Sequence, residues 1–167
     1  MTEHTFLTPR QIIDPHGTLP HVELELNPNI KQKGGSLLVK DMLILHKGEQ
    51  VGKFTLLEEL KRKNAWFNGI EVEQKGKGFG MATYLTAIEQ AHAKGETFRT
   101  QDWTQSEGAV KVWTKFIDAG IAEVIEPFII DTEGVNAGKY TGEAVIRPPV
   151  SPTSTGLDQS QENMGQQ

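Results

Sequence analysis

The residues most able to do chemistry in this 167-residue chain are Lys75-Gly76-Lys77-Gly78-Phe79-Gly80. Glycines let a backbone turn tightly and approach a ligand closely. The unpaired amides of a following helix start point outward and carry the positive end of the helix dipole, so they favour an anion. Lys75 and Lys77 bring two formal positive charges to the same place. An anionic group is the natural occupant. The P-loop pattern requires Ser or Thr after Gly-Lys, where this chain has Gly78, and a G-x-G-x-x-G pattern from Gly76 would need a glycine at Met81. The plainer alternative is a structural turn whose glycines serve only helix–strand packing.

The turn needs a strand before it and a helix after it. Ala65 to Glu73 reads as a strand, with Trp66, Asn68, Ile70 and Val72 on one face and Phe67, Gly69 and Glu71 on the other. Beyond Gly80 the period changes to 3.6. Met81, Leu85, Ile88 and His92 share a helical stripe flanked by Tyr84 and Ala91, and Gly95 stands at the helix end. Upstream, His21 to Leu26 alternates as a short strand. Ser36 to His46 and Gln50 to Leu57 form a hairpin across Lys47-Gly48-Glu49, and Glu58 to Asn64 reads as a charged connection. Downstream, Thr97 to Trp103 predicts a strand. Thr104 and Glu107 have capping-box spacing for a second helix with Val110, Trp113, Phe116 and Ile117 inward, ended by Gly120. Ile121 to Ile130 and Lys139 to Arg147 read as two closing strands. The expected fold class is α/β (α+β), a mixed and mostly antiparallel sheet around a central strand–helix–strand–helix segment.

Glu73-Gln74-Lys75-Gly76-Lys77-Gly78-Phe79-Gly80-Met81-Ala82 resembles the [Q/R]-x-x-G-x-[G/A] motif of the GNAT superfamily of N-acetyltransferases, with Lys75 in place of the usual Arg or Gln and with Gly78 and Gly80 matching. The likeness continues through Ala109-Val110-Lys111-Val112-Trp113-Thr114-Lys115-Phe116 to Gly120, similar to the family's second helix. It spans about 36–147. The resemblance implies acetyl-CoA as acyl donor and transfer to a primary amine of a small molecule or a protein, through attack on the thioester and a tetrahedral intermediate. It implies that Phe67, Asn68, Ile70 and Val72 pair their backbone with the pantetheine arm. It further implies that Lys75, Gly76, Lys77, Gly78, Phe79, Gly80 and Met81 hold the pyrophosphate. Ser106 takes the place of a common Asn, and Trp113 that of a Tyr that would protonate the departing thiolate; an indole has no proton to transfer at neutral pH. Glu71 and Glu73 are the general-base candidates and Tyr140 the replacement acid, with water as the other option. A bulky residue at Gly78 is expected to fill the pyrophosphate's place while sparing the fold.

The family's acceptor site is usually lined by helices between the first strands, for which Asn27 to Ser36 is too short. Either the Met1 to Pro20 arm or another subunit takes their place, or the site is open, which would suit a protein amine. The alternative to an enzyme is a non-catalytic acyl-CoA-binding or interaction module.

Composition narrows the rest. With no cysteine there is no disulfide, thiolate metal site or thiol nucleophile. The net charge of -5 provides no overall basic field for nucleic acid. No apolar run reaches the roughly 20 residues that span a bilayer. His4, His16, His21, His46 and His92 lack metal-ligand spacing, and no metal is expected. Thr8 to Pro20, with three prolines, reads as a loop-rich arm, 1–35 as arm plus first strand, 36–147 as the core, and 148–167, rich in Pro, Ser, Thr and Gln, as a disordered tail. The expectation is a cytoplasmic monomer or homodimer.

Overall fold

The structure is a computed structural model that describes residues 7–28, 36–101, 104–130, 132–134 and 137–149. The tail from 150 onward and Asp102 and Trp103, which the sequence reading placed in a tail and a strand, lie outside those residues.

Alternating apolar residues build β1 (Glu23–Leu26), β2 (Leu37–His46), β3 (Glu49–Glu59) and β4 (Asn64–Val72), each antiparallel to the one before. The β2–β3 turn is tighter than its sequence suggests. Only Lys47 and Gly48 form it, both at positive φ (53° and 81°), the handedness that matches strand twist, while Glu49 already pairs with His46. Helix α2 (Phe79–Ala93) crosses to β5 (Thr97–Arg99), which runs parallel to β4. Then come β6 (Thr104–Gln105), α3 (Glu107–Asp118), β7 (Glu123–Ile130) and β8 (Tyr140–Ile146). One edge of β8 pairs along its length with β7, so β5 and β6 share the other edge at successive positions. The result is the expected mixed, mostly antiparallel sheet of eight strands with a strand–helix–strand–helix centre.

Both long helices lie on one face of the sheet. Phe67, Tyr84, Phe98, Trp113 and Phe116 form a continuous aromatic core there, with Trp113 stacked on Phe98 at 5.9 Å between centroids and 11° between planes.

Four local expectations need correction. The arm is not all loop: Thr8 and Gln11 form a reciprocal capping box with Pro9 at the first helical position, nucleating a short helix, α1 (Pro9–Ile13). Glu58 is no connection residue. It ends β3 facing α2, is 2% exposed, and is held by Lys40 (2.7 Å) and Lys94. The second long helix is capped by Ser106, whose Oγ accepts from the Ala109 amide (3.1 Å), while Thr104 is consumed by β6. The strict face alternation along β4 also fails, for a reason that shapes the site.

Candidate functional site

Between Phe54 and Leu56 the β3–β4 register slips. Phe54 faces Ile70 and Leu56 faces Phe67, so Asn68 and Gly69 have no partner on β3. Two residues bulge where one would fit, and Gly69 supplies the positive φ, 86°. The bulge rotates the strand, so Phe67, Ile70 and Val72 all turn toward the helices, where Phe67 had been assigned the face opposite to Ile70 and Val72. Asn68 and Glu71 are exposed.

β4 also parts from its other neighbour. It pairs with β5 only at Asn64–Thr97 and Ala65–Phe98. From Trp66 onward the β5-facing edge of β4 carries no strand partner among the described residues. The gap so opened is a cleft in two connected parts. The inner part, about 350 Å³, is lined by Phe67 to Glu71 on one side and by Arg99, Gln101, Gln105, Ser106 and Trp113 on the other. The outer part, about 460 Å³, reaches Lys75 and Gly80 and is walled by Ile70, Val72, Ser106, Gly108, Ala109 and Val112. Tyr84, Ile70, Glu71, Ser106 and Ala109 border both parts.

The glycine-rich turn sits at the outer mouth. Gly78 is the N-cap of α2 in the left-handed conformation (φ 84°), with no side chain capping the helix. The first amide tied back is that of Ala82, to the Gly78 carbonyl (3.0 Å). Among the described residues no acceptor takes the amides of Phe79, Gly80 or Met81. The Phe79 ring does not plug the mouth: it is buried against His46, 5.1 Å between centroids.

The glycines divide the work in a way the pattern does not show. A Cβ on Gly80 would meet nothing within 4 Å and would enter the outer cleft. A Cβ on Gly78 would press on Leu19 Cδ2 (3.0 Å) and Pro20 Cδ (3.1 Å). The corner that carries Leu19 is pinned by Asp14, whose carboxylate accepts from the Thr18 and Leu19 amides (2.8 and 3.1 Å). Those backbone hydrogen bonds hold the Asp14 carboxyl below its ordinary range. A side chain at Gly78 would therefore press on the arm, a contact within the fold that the sequence pattern does not show. Arg10 fastens α1 to α2 through both Glu89 carboxylate oxygens (2.7 and 3.0 Å) and Thr86. Among the described residues the arm, from Leu7 to Pro20, borders none of these cavities beside β4.

Of the other residues singled out, Lys75, Ser106, Trp113, Phe67, Asn68, Ile70 and Val72 line the cleft. Gly76, Lys77, Phe79 and Met81 do not border either part of the cleft. Glu71 borders the cleft and also a cavity of about 350 Å³ on the far side of β4, formed with Asn27, Asp41, Lys53, Thr55, Asn68 and Gly69. Glu73 lies further out, beside Gln50 and Lys53. Tyr140, named as the replacement acid, pairs with Gln105 across β6–β8 and does not itself border either part of the cleft.

No protein-family model and no curated protein matches this sequence. Solved structures do. A spermidine N-acetyltransferase SpeG chimera from Vibrio cholerae and hSSAT superposes with a TM-score of 0.54 at 10% identity, over 77% of this chain and 96% of that one. The apo form of RimL, a ribosomal L7/L12 alpha-N-protein acetyltransferase, gives 0.51 at 14% identity, over 68% and 72%. The chain has the GNAT fold. It spans 32% of a tandem GNAT protein from the clavulanic acid biosynthesis pathway, with 57% of this chain covered, 16% identity and a TM-score of 0.43. At these identities the shared property is the fold.

Within that GNAT frame, sequence reasoning missed three polar residues of the inner cleft. Gln105 is 2% exposed and donates to the Gln101 carbonyl (2.8 Å). Arg99 stacks over the Trp66 ring at 3.8 Å and lies 3.7 Å from Glu59. Tyr84 puts a phenol on an otherwise apolar helix face, and that mismatch was the available signal. Among the described residues no group of three His, Asp or Glu could hold a metal, and no helix is long and apolar enough to cross a membrane.

Proposed function

We propose that this chain is an acetyl-CoA-dependent N-acetyltransferase that moves an acetyl group to a primary amine. The observation that carries the proposal is the cleft opened where β4 leaves β5, with free helix-start amides and Lys75 at its mouth. The residues fit the group: Gly80 leaves open the space that any side chain there would fill. The amides of Phe79 to Met81, with Lys75, would bind the pyrophosphate. The unpaired edge of β4 from Phe67 to Val72 offers main-chain partners to the amide-bearing pantetheine arm, and Ser106 faces the same space.

Acetyl-CoA supplies an activated acyl carbon. The chain's part is to orient it, to exclude water with the aromatic wall, and to manage charge. The Asn68 and Gly69 amides, at the bulge on the wall of the inner cleft, are the donors assigned here to a developing oxyanion. Glu71 borders both the cleft and the far-side cavity, so it is positioned to receive the proton of an amine entering from that face. Asp41 in the same cavity adds a second carboxylate.

Burial of Trp113 in the place of a proton-donating Tyr favours one rival, a non-catalytic acyl-CoA-binding module. Calorimetric titration with CoA beside a thiol-release assay with acetyl-CoA and a panel of primary amines and amine-bearing peptides separates the two. Binding with amine-dependent thiol release supports the enzyme. Binding without it supports the module, and no binding overturns both.

A further inference from the structure

Transfer of an acyl group from a thioester leaves negative charge on sulfur, which a hydrogen-bond donor on the wall of the inner cleft would stabilise. Several side chains of the cleft could partner that charge. Lys75 stands at the outer mouth and Glu71 is an anion. Arg99 is engaged with Trp66 and Glu59. Ser106 Oγ accepts from the Ala109 amide, and its hydroxyl, on an exposed residue, is open to water as a donor.

Gln101 and Gln105 donate to the Thr104 and Gln101 carbonyls, and Asn68 and Trp113 border the inner part alone; Tyr84 is the buried donor that borders both parts with no partner among the described residues. Its side chain is 5% exposed and held among the rings of Phe67, Phe98 and Phe116 (centroids 4.8, 6.2 and 6.2 Å), yet it borders both parts of the cleft. Among the described residues its hydroxyl has no hydrogen-bond partner, and it is not one of the sealed, unpaired buried atoms, of which Glu96 Oε1 is the sole case. A buried Tyr hydroxyl ordinarily finds a partner. Here the open direction is the cleft.

We propose that Tyr84 is a catalytic residue of the acyl transfer, its Oη–H donating a hydrogen bond to the leaving sulfur. The inference rests on the acyltransferase reading. The acceptor nitrogen bonds to the acyl carbon while the carbon–sulfur bond breaks with its electron pair on sulfur. The nitrogen's surplus proton goes to Glu71, and the thiolate stays as an anion hydrogen-bonded to Tyr84 until solvent protonates it on release. Burial pushes the Tyr84 hydroxyl upward from its ordinary value, so the phenol keeps its proton and acts as a donor rather than as a proton source. This differs from full proton transfer by an acid on α3, where Trp113 stands.

The test uses the full chain and its Tyr84→Phe variant, in which the ring contacts survive. CoA is bound to each, and the thiolate's ultraviolet absorbance is followed against pH. The charged groups bordering the cleft are Lys75, Glu71 and Arg99; they are common to both proteins, so their influence cancels in the comparison. The bound thiol of wild type is expected to ionise about one pH unit or more below that of Tyr84→Phe, the effect of a charge-assisted hydrogen bond. Acetyl-CoA turnover should fall about ten- to a hundredfold, with little change in KM for acetyl-CoA and an unchanged melting temperature without ligand. Equal thiol ionisation in the two proteins overturns the role of Tyr84 and leaves the acyltransferase reading standing. Failure of wild type to bind CoA overturns both.

Discussion

Gly80→Leu separates fold from function more cleanly than any other substitution in the glycine-rich turn. Gly80 is the second residue of α2, has helical backbone, and would present its Cβ to open space in the outer cleft. In a helix Leu is favoured over Gly by roughly 0.5–1 kcal/mol, mostly through backbone entropy. Without ligand, Gly80→Leu should therefore melt at or up to about 4 °C above wild type, at roughly 2–4 °C per kcal/mol for a domain of this size. With CoA at 100 times its dissociation constant, wild type should gain about 2.7 kcal/mol, or roughly 5–10 °C, while the variant gains nothing because its side chain occupies the phosphate space. Thermal melts of both proteins with and without CoA provide the four numbers. A Gly80→Leu protein that keeps the CoA-dependent shift, or one that is destabilised without ligand, would refute the assignment of that space.

Gly78→Ala should do the opposite: a left-handed Ala plus pressure on Leu19 and Pro20 should cost about 1–3 kcal/mol, read as a lower denaturation midpoint in urea. Glu58→Gln should cost about 1–3 kcal/mol in the same assay, since it leaves Lys40 and Lys94 without their shared carboxylate, though Lys94 can turn to water. Burial pushes the Glu58 carboxyl up, but the hydrogen bonds from Lys40 and Lys94 outweigh it and the net shift is downward. Its stabilisation should thus be whole above the ordinary carboxylate range and be lost as pH falls through it, whereas the upward-shifted Glu96 works in the opposite sense. His92 is pushed down by burial, against the hydrogen bond it shares with the Ile146 carbonyl (3.2 Å). Folding should therefore weaken as pH falls below about 6.5, where the unfolded imidazole takes up its proton first, and NMR titration should find the His92 ring ionising below its ordinary range. Glu71→Gln should lower amine-dependent thiol release by about 100-fold or more at neutral pH while CoA affinity in calorimetry stays within about threefold.

The parts of the fold written in local periodicity were legible. The change from period 2 to 3.6 at Gly80, the hairpin at Lys47-Gly48 and the glycine after α2 each follow from residues within a turn of one another. The features that form the cleft follow only in part. One inserted residue at Asn68–Gly69 flips the face of everything after it, and the isolated Gly69 inside the strand pattern is its local mark. The parting of β4 from β5 depends on where pairing stops, a property of two strands separated by a helix. The contact of Gly78 with the arm was not legible because Leu19 and Pro20 come from nearly 60 residues upstream. Glu58 read as loop because a charged residue is rarely buried unless paired, and its partners, Lys40 and Lys94, come from a different strand and a helix end. Tyr84 was visible as one polar atom on an apolar stripe, but only the cleft shows where its hydroxyl can go.

The most direct measurement of the central claim follows the backbone amide resonances of isotope-labelled protein during titration with CoA. Saturable shifts at Phe79, Gly80 and Met81, accompanied by shifts along Phe67 to Val72, are the predicted result. Shifts restricted to other parts of the chain, or none at CoA concentrations in the millimolar range, would contradict it.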